Sequence, residues 1–264
     1  MSEPLLRIRG LTVSFGGFHA VDDLDLDVEA GELRFLIGPN GAGKTTLIDA
    51  ITGRVRPATG SIRFAGTQLA GTREHAIVGL GVGRSFQTPT VFDELSVLAN
   101  VDLAAGLHRP WTTLLRRRTA ITPDVADTLE VVGLTNLAEH PSRSLSHGQR
   151  QWLEIAMLLV QDPRLLLLDE PVAGMTQEER TRTGQLLEQL VEHRTVIVVE
   201  HDMRFLRRFA RQVTVMHEGR ILCEGTVDEV QADEHVRAVY LGRQHADADV
   251  PDETHVSTRD GQVN

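Results

Sequence analysis

The sequence predicts an α/β fold: a phosphate-loop core of parallel strands, preceded by an antiparallel β subdomain and carrying an inserted helical subdomain. Three observations carry this expectation. First, Leu33-Arg34-Phe35-Leu36-Ile37 is a short apolar run leading into Gly38-Pro39-Asn40-Gly41-Ala42-Gly43-Lys44-Thr45, with helical spacing over 45–51 until Gly53 stops it. Strand, glycine-rich loop and helix in that order are what a phosphate-binding loop demands. Second, 165–168 and 195–199 are apolar throughout, as parallel strands buried on both faces must be, and a helix-like stretch over 178–191 lies between them. Third, the pattern from about 89 to 160 turns helical.

The remaining elements follow from period and punctuation. Residues 5–30 alternate apolar and polar through Leu6, Ile8, Leu11 and Val13, then Leu24, Leu26 and Val28. Gly16-Gly17 and Gly31 break the alternation, which predicts small antiparallel strands. Residues 61–64, after Pro57 and Gly60, predict another strand. Within the insertion, 97–107, 126–132 and 149–160 place apolar residues three and four apart, separated by Pro110, Pro123 and Pro141. Residues 213–216 and 221–223 form a hairpin through Glu218-Gly219. Beyond Gly242 the chain loses apolar periodicity, with Asp247, Asp249, Asp252, Glu253 and Asp260 against few hydrophobes, so 243–264 is expected to be a disordered tail. The expected domain is 5–242, with the helical subdomain at about 89–160.

Composition narrows the function classes. Of 264 residues, 41% are hydrophobic and 24% charged, which suits a globular chain, and no apolar run approaches the ~18 residues that cross a bilayer. The start, Met1 to Arg7, lacks a basic region followed by an apolar core, so no secretory signal is expected. The single cysteine, Cys223, permits no internal disulfide and reads as a buried apolar thiol. A net charge of −10 argues against broad nucleic-acid binding. The one basic run, Arg116-Arg117-Arg118, reads as a solvated loop.

Lys44 is the only lysine among 27 Lys and Arg. A bias towards arginine would have removed it too, unless a compact ammonium is required there. G-x-x-x-x-G-K-[ST] supplies that requirement: its glycines let backbone N–H groups close around phosphates while the lysine reaches the terminal ones. The protein is expected to bind a nucleoside triphosphate. Leu165 to Leu168 deliver Asp169-Glu170 to a strand's carboxyl end, where α/β sheets place ligands. Asp169 is placed to hold Mg²⁺ with the Thr45 hydroxyl, and Glu170, pointing differently, to polarise an attacking water. Ser146 can cap the helix that follows it, leaving a positive dipole end suited to an anion.

Leu145-Ser146-His147-Gly148-Gln149 resembles the L-S-G-G-Q signature of ABC-type ATPases, and stands roughly 20 residues before the acidic strand as in that family. The resemblance covers about residues 5 to 242, with every expected motif in order. It implies a P-loop NTPase (RecA-like) core of ABC ATPase type. It implies that ATP and Mg²⁺ are held by Gly38, Pro39, Asn40, Gly41, Ala42, Gly43, Lys44, Thr45 and Thr46. Phe15 would stack on adenine, with Phe18 as competitor, and Thr45, Gln87 and Asp169 would hold the metal. Glu170, His201 and Gln87 would carry hydrolysis. Ser146, Gly148 and Gln149 would close over the nucleotide of a second ATPase subunit, identical or different.

The family resemblance further implies an importer subunit, peripheral on the cytoplasmic face of the plasma membrane. It would work with transmembrane permease subunits and, indirectly, a solute-binding protein, without nucleic acid. Phe15-Gly16-Gly17, Phe86-Gln87 and Asp169-Glu170-Pro171 with Ala173-Gly174 are similar to both branched-chain amino acid and urea importers. Gln87 to Phe92, Gln151 to Glu154 and Pro171 to Thr176 are more similar to the second ATPase subunit of urea uptake, which makes urea the expected solute and branched-chain amino acids the alternative. A soluble ABC ATPase of DNA repair or translation would usually carry two cassettes or a long coiled coil, and a phosphate-loop kinase or GTPase would not need 145–149. Two departures stand out. His147 replaces the signature's first glycine, and Ala173-Gly174-Met175-Thr176 stands where many relatives end in aspartate.

Overall fold

A computed structural model describes residues 3–85, 90–106 and 122–239. Gln87, the Arg116-Arg117-Arg118 run and the acidic tail lie outside the described residues. β1 (Leu6–Phe15) and β2 (Phe18–Val28) form a long antiparallel pair, joined by β4 (Thr59–Phe64) and β5 (Thr67–Gln68) in the order β2-β1-β4-β5. A second sheet contains β3 (Leu33–Ile37), β6 (Val82–Arg84), β7 (Leu165–Asp169), β8 (Thr195–Val199), β9 (Gln212–His217) and β10 (Arg220–Gly225). Its order is β10-β9-β3-β8-β7-β6, parallel throughout except for the β9–β10 hairpin.

The uninterrupted apolar runs have a simple cause. Alternate residues of the second sheet enter two different cores: Phe35, Leu166, Leu168, Val196 and Val198 face one, while Leu36, Leu165, Leu167, Ile197 and Val199 face the other. The second core is closed by α1 (Lys44–Ile51) and the antiparallel sheet, and α2 (Glu74–Gly79) adds Ile77. The first is closed by α3 (Val97–Ala105), α4 (Pro123–Val131), α5 (His147–Leu159), α6 (Gln177–Val191) and α7 (Met203–Phe209), with α8 (Val227–Ala232) adding Val230. Burying each such Leu, Ile or Val contributes about 1.5–3 kcal/mol, which favours apolar residues on both faces of these strands.

The helical insertion is held by polar contacts. Asn100 is fully buried, accepts from the Phe92 N–H at 2.8 Å and donates to Ser142 Oγ at 2.8 Å. Trp152 Nε1 on α5 donates to Thr183 Oγ1 on α6 at 2.9 Å, and the Arg182 guanidinium lies 4.3 Å over the Trp152 ring while donating to Gly133 O. These contacts fix the start of α5 against α6.

The structure corrects one expectation. Cys223 is half-buried, not buried, because β10 is the edge strand of its sheet and only β9 flanks it. β5, α2, β6, α7 and α8 were not anticipated. Each is too short for a hydrophobic period to register.

Candidate functional site

The loop between β3 and α1 is shaped by what surrounds it. Gly43 takes φ +102, and a Cβ there would collide with the Ala20 carbonyl, so the loop can follow this path only with glycine. As the N-cap of α1, Gly43 offers no side-chain acceptor, and the helix start is available to an anion. Lys44 Nζ donates to the carbonyls of Gly38 at 2.7 Å and Pro39 at 3.0 Å, folding its ammonium over the loop.

A cavity of about 310 Å³ opens above this loop. Its walls are residues 40–46, the exposed rings of Phe15 and Phe18, Ala20, Asp169, Glu170 and Val199. Phe15 and Phe18 are register partners at the tip of the β1–β2 hairpin, so both rings reach the cavity and the geometry favours neither over the other.

Strand alternation explains why Asp169 faces the loop. It shares a face with Leu165 and Leu167, which pack on the α1 side. Asp169 is only 4% exposed, and burial holds its carboxyl above the usual carboxylate range, outweighing the pull of Arg84 and Lys44. Its backbone N–H donates to Ser85 Oγ at 3.2 Å. A buried carboxylate beside a threonine and a lysine is a group that a bound cation would relieve.

Glu170 follows at φ +51, the left-handed region that a glutamate seldom occupies. Such strain persists where surrounding structure enforces it. Here the Glu170 N–H donates to Val199 O at 2.9 Å, and its Oε1 lies 3.4 Å from Nδ1 of the exposed His201. Two strand ends thus bring an imidazole beside the acid that lines the cavity, although His201 itself is not among the lining residues.

Ser146, Gly148 and Gln149 are not among the residues that line this cavity. Ser146 caps α5 in a reciprocal box with Gln149: the Gln149 N–H donates to Ser146 Oγ at 3.2 Å, and the Ser146 N–H to Gln149 Oε1 at 2.9 Å. Ser146 Oγ also donates to Glu179 Oε1 at 3.0 Å. Gly148 faces that same carboxyl group so closely that a Cβ would stand 2.6 Å from it. His147 Nε2 sits 3.1 Å from Ala173 O, so the residue that departs from the signature ties it to the loop after β7. Thr176 caps α6 in a second box with Glu179.

Two carboxylates here escaped the sequence reading. Glu179 is held below the usual carboxylate range, chiefly by the Thr176 N–H. Thr176-x-x-Glu179 is a capping-box pattern and could have revealed it. Glu200 is 1% exposed and accepts from the N–H groups of Val172, His201 and Asp202. Burial pushes its carboxyl up, against those three donors. An acid adjoining a run of valines gave no sequence signal of its own.

The chain matches the family model described as ABC transporter over residues 21–173, and that described as branched-chain amino acid ATP-binding cassette transporter over 220–246. It is 36% identical to the high-affinity branched-chain amino acid transport ATP-binding protein BraF of Pseudomonas aeruginosa, covering 92% of this chain and 99% of that one. It is 35% identical to the corresponding LivG protein of Escherichia coli, with the same coverage. The ADP conformation of MJ1267, an ATP-binding cassette of an ABC transporter, superposes with a TM-score of 0.79 at 28% identity, covering 91% of this chain and all of that one. Among the described residues no helix is long and apolar enough to cross a membrane. The chain belongs to the ABC transporter family, as an ATP-binding cassette ATPase of the branched-chain amino acid transporter type.

Proposed function

We propose that this chain powers an importer by binding ATP between two cassettes and hydrolysing it at the inner face of the membrane. The observation that carries the reading is the division of the site. Lys44, Thr45, Asp169 and Glu170 line one cavity, whereas Ser146 and Gly148 do not, which supports a site completed by the Ser146 equivalent of a second copy or a homologous cassette. In this reading Lys44 leaves the Gly38 and Pro39 carbonyls to meet the terminal phosphates, and Phe15 or Phe18 stacks on adenine. Thr45 and Asp169, with Gln87, would hold Mg²⁺, which when bound neutralises charge on the β- and γ-phosphates. The donor set fits: a nearly buried carboxylate kept from its usual acidity is a good partner for one hard cation shared with phosphate oxygens.

Glu170 takes the proton of the attacking water, and His201 beside it holds the γ-phosphate side of the site. Closure assembles the site and hydrolysis lets it reopen, which resets the permease subunits. For the solute we take branched-chain amino acids, because the relatives described above carry that name. The urea expectation draws no support from those names and remains the alternative outcome of the test. The chain would be co-purified with its permease from detergent-solubilised membranes and reconstituted with the solute-binding protein. ATPase stimulated by leucine supports this reading. Stimulation by urea alone would replace the solute, and a chain that associates with no membrane protein would overturn the importer assignment.

A further inference from the structure

Continuing the alternation of β8 places Glu200 on the same face as Val196 and Val198, pointing into the first core. Taking a carboxylate out of water is costly unless it is well paired. This one is met by backbone donors from two separate loops. Glu200 Oε1 accepts from the Val172 N–H at 3.3 Å, and Oε2 accepts from the N–H groups of His201 at 3.0 Å and Asp202 at 3.3 Å. A helix cap does not account for it, because Asp202 already caps α7, accepting from Arg204 at 2.8 Å and Phe205 at 3.1 Å.

What Glu200 joins is informative. Val172 belongs to the turn Glu170-Pro171-Val172-Ala173, closed by the Ala173 N–H to Glu170 O at 3.1 Å. Holding Val172 on one oxygen and His201 on the other fixes the distance between the turn that carries Glu170 and the turn that carries His201. A second brace runs parallel to it: Arg180 pairs with Asp202 and donates from Nε to Met175 O at 3.1 Å. The Arg180 brace meets the chain farther from both reacting side chains, so Glu200 sets the finer register.

We infer that Glu200 is a positioning residue for hydrolysis, its two carboxylate oxygens setting His201 against Glu170 by gripping the backbones of Val172, His201 and Asp202. This rests on the roles proposed above for Glu170 and His201. An amide cannot replace the carboxylate, since its nitrogen donates and would face an N–H, so Glu200→Gln must release at least one grip.

The test is a double-mutant cycle on the full chain, read by single-turnover hydrolysis, ATP affinity and thermal unfolding. Glu200→Gln is expected to slow hydrolysis about tenfold or more with ATP affinity within about twofold of the parent. In a His201→Ala background the same change should cost less than about twofold, because the residue it positions is gone. Should the amide variant fail to fold, Glu200→Asp, which keeps the charge and shortens the reach, enters the same cycle. Unchanged hydrolysis in Glu200→Gln, or an equal loss in both backgrounds, would overturn this inference alone. Parent-like hydrolysis in His201→Ala would overturn the functional reading and this inference with it.

Discussion

Glu170 Oε1 and His201 Nδ1 lie 3.4 Å apart at the carboxyl ends of neighbouring parallel strands β7 and β8. The two strands set this spacing through their ladder, which pairs Asp169 with Val199 immediately before each loop begins. The Glu170 N–H bonded to Val199 O then turns the chain so that the acid leaves the sheet towards the cavity. A pair at this distance is close enough to act and loose enough to be tightened by substrate.

Lys44→Arg is expected to lower ATP affinity and hydrolysis together, each about tenfold or more, although charge is kept. The guanidinium is wide and planar, whereas Lys44 Nζ fits within 3.0 Å of two loop carbonyls. Equilibrium binding of a fluorescent ATP analogue reads the affinity, and circular dichroism checks the fold. Parent-like affinity and turnover would show that the lone lysine has no special place.

Asp169→Asn separates stability from function. Burial raises the Asp169 carboxyl above its unfolded value, and a carboxyl raised in the folded state stabilises the fold below the unfolded pKa and loses that contribution as pH rises through the folded one. The nucleotide-free variant is therefore expected to melt higher than the parent at neutral pH, by about 2–4 °C for each kcal/mol relieved. That gain should vanish near pH ~4. Mg²⁺-dependent hydrolysis should fall about a hundredfold. A lower melting point at pH 7 would contradict the assignment of burial as the dominant effect.

Most of this site was legible because its parts sit where periodicity changes. The phosphate loop ends an apolar run, and Asp169 ends four leucines whose two-faced burial the sheet explains. Glu179 was legible as the partner of Thr176 in a capping box, but its bond to Ser146 was not, and Glu200 was not legible at all, because these contacts join groups distant in sequence. α7 was missed because seven residues offer less than two full turns of pattern, even though Asp202 caps it. His147 read as a departure from the signature, and its bond to Ala173 O could not be foreseen from either segment alone.

Glu179 occupies the Ser146 hydroxyl that, in the proposed two-cassette site, a partner's γ-phosphate would need. Glu179→Gln keeps an oxygen for the Thr176 N–H while removing the negative charge. The variant is expected to dimerise at about threefold or more lower ATP concentration than the parent, as less repulsion meets the incoming phosphate. Sedimentation across an ATP titration checks it, and an unchanged midpoint would mean the carboxylate moves aside freely.

The proposed two-chain site is tested most directly by Glu170→Gln on a size-exclusion column with ATP and Mg²⁺. The amide keeps the shape of the acid and cannot take a proton, so ATP should bind, turnover should drop about a hundredfold or more, and the chain should elute as a nucleotide-trapped dimer. A monomer that hydrolyses ATP at the parent rate would contradict both the role of Glu170 and the completion of the site by a second cassette.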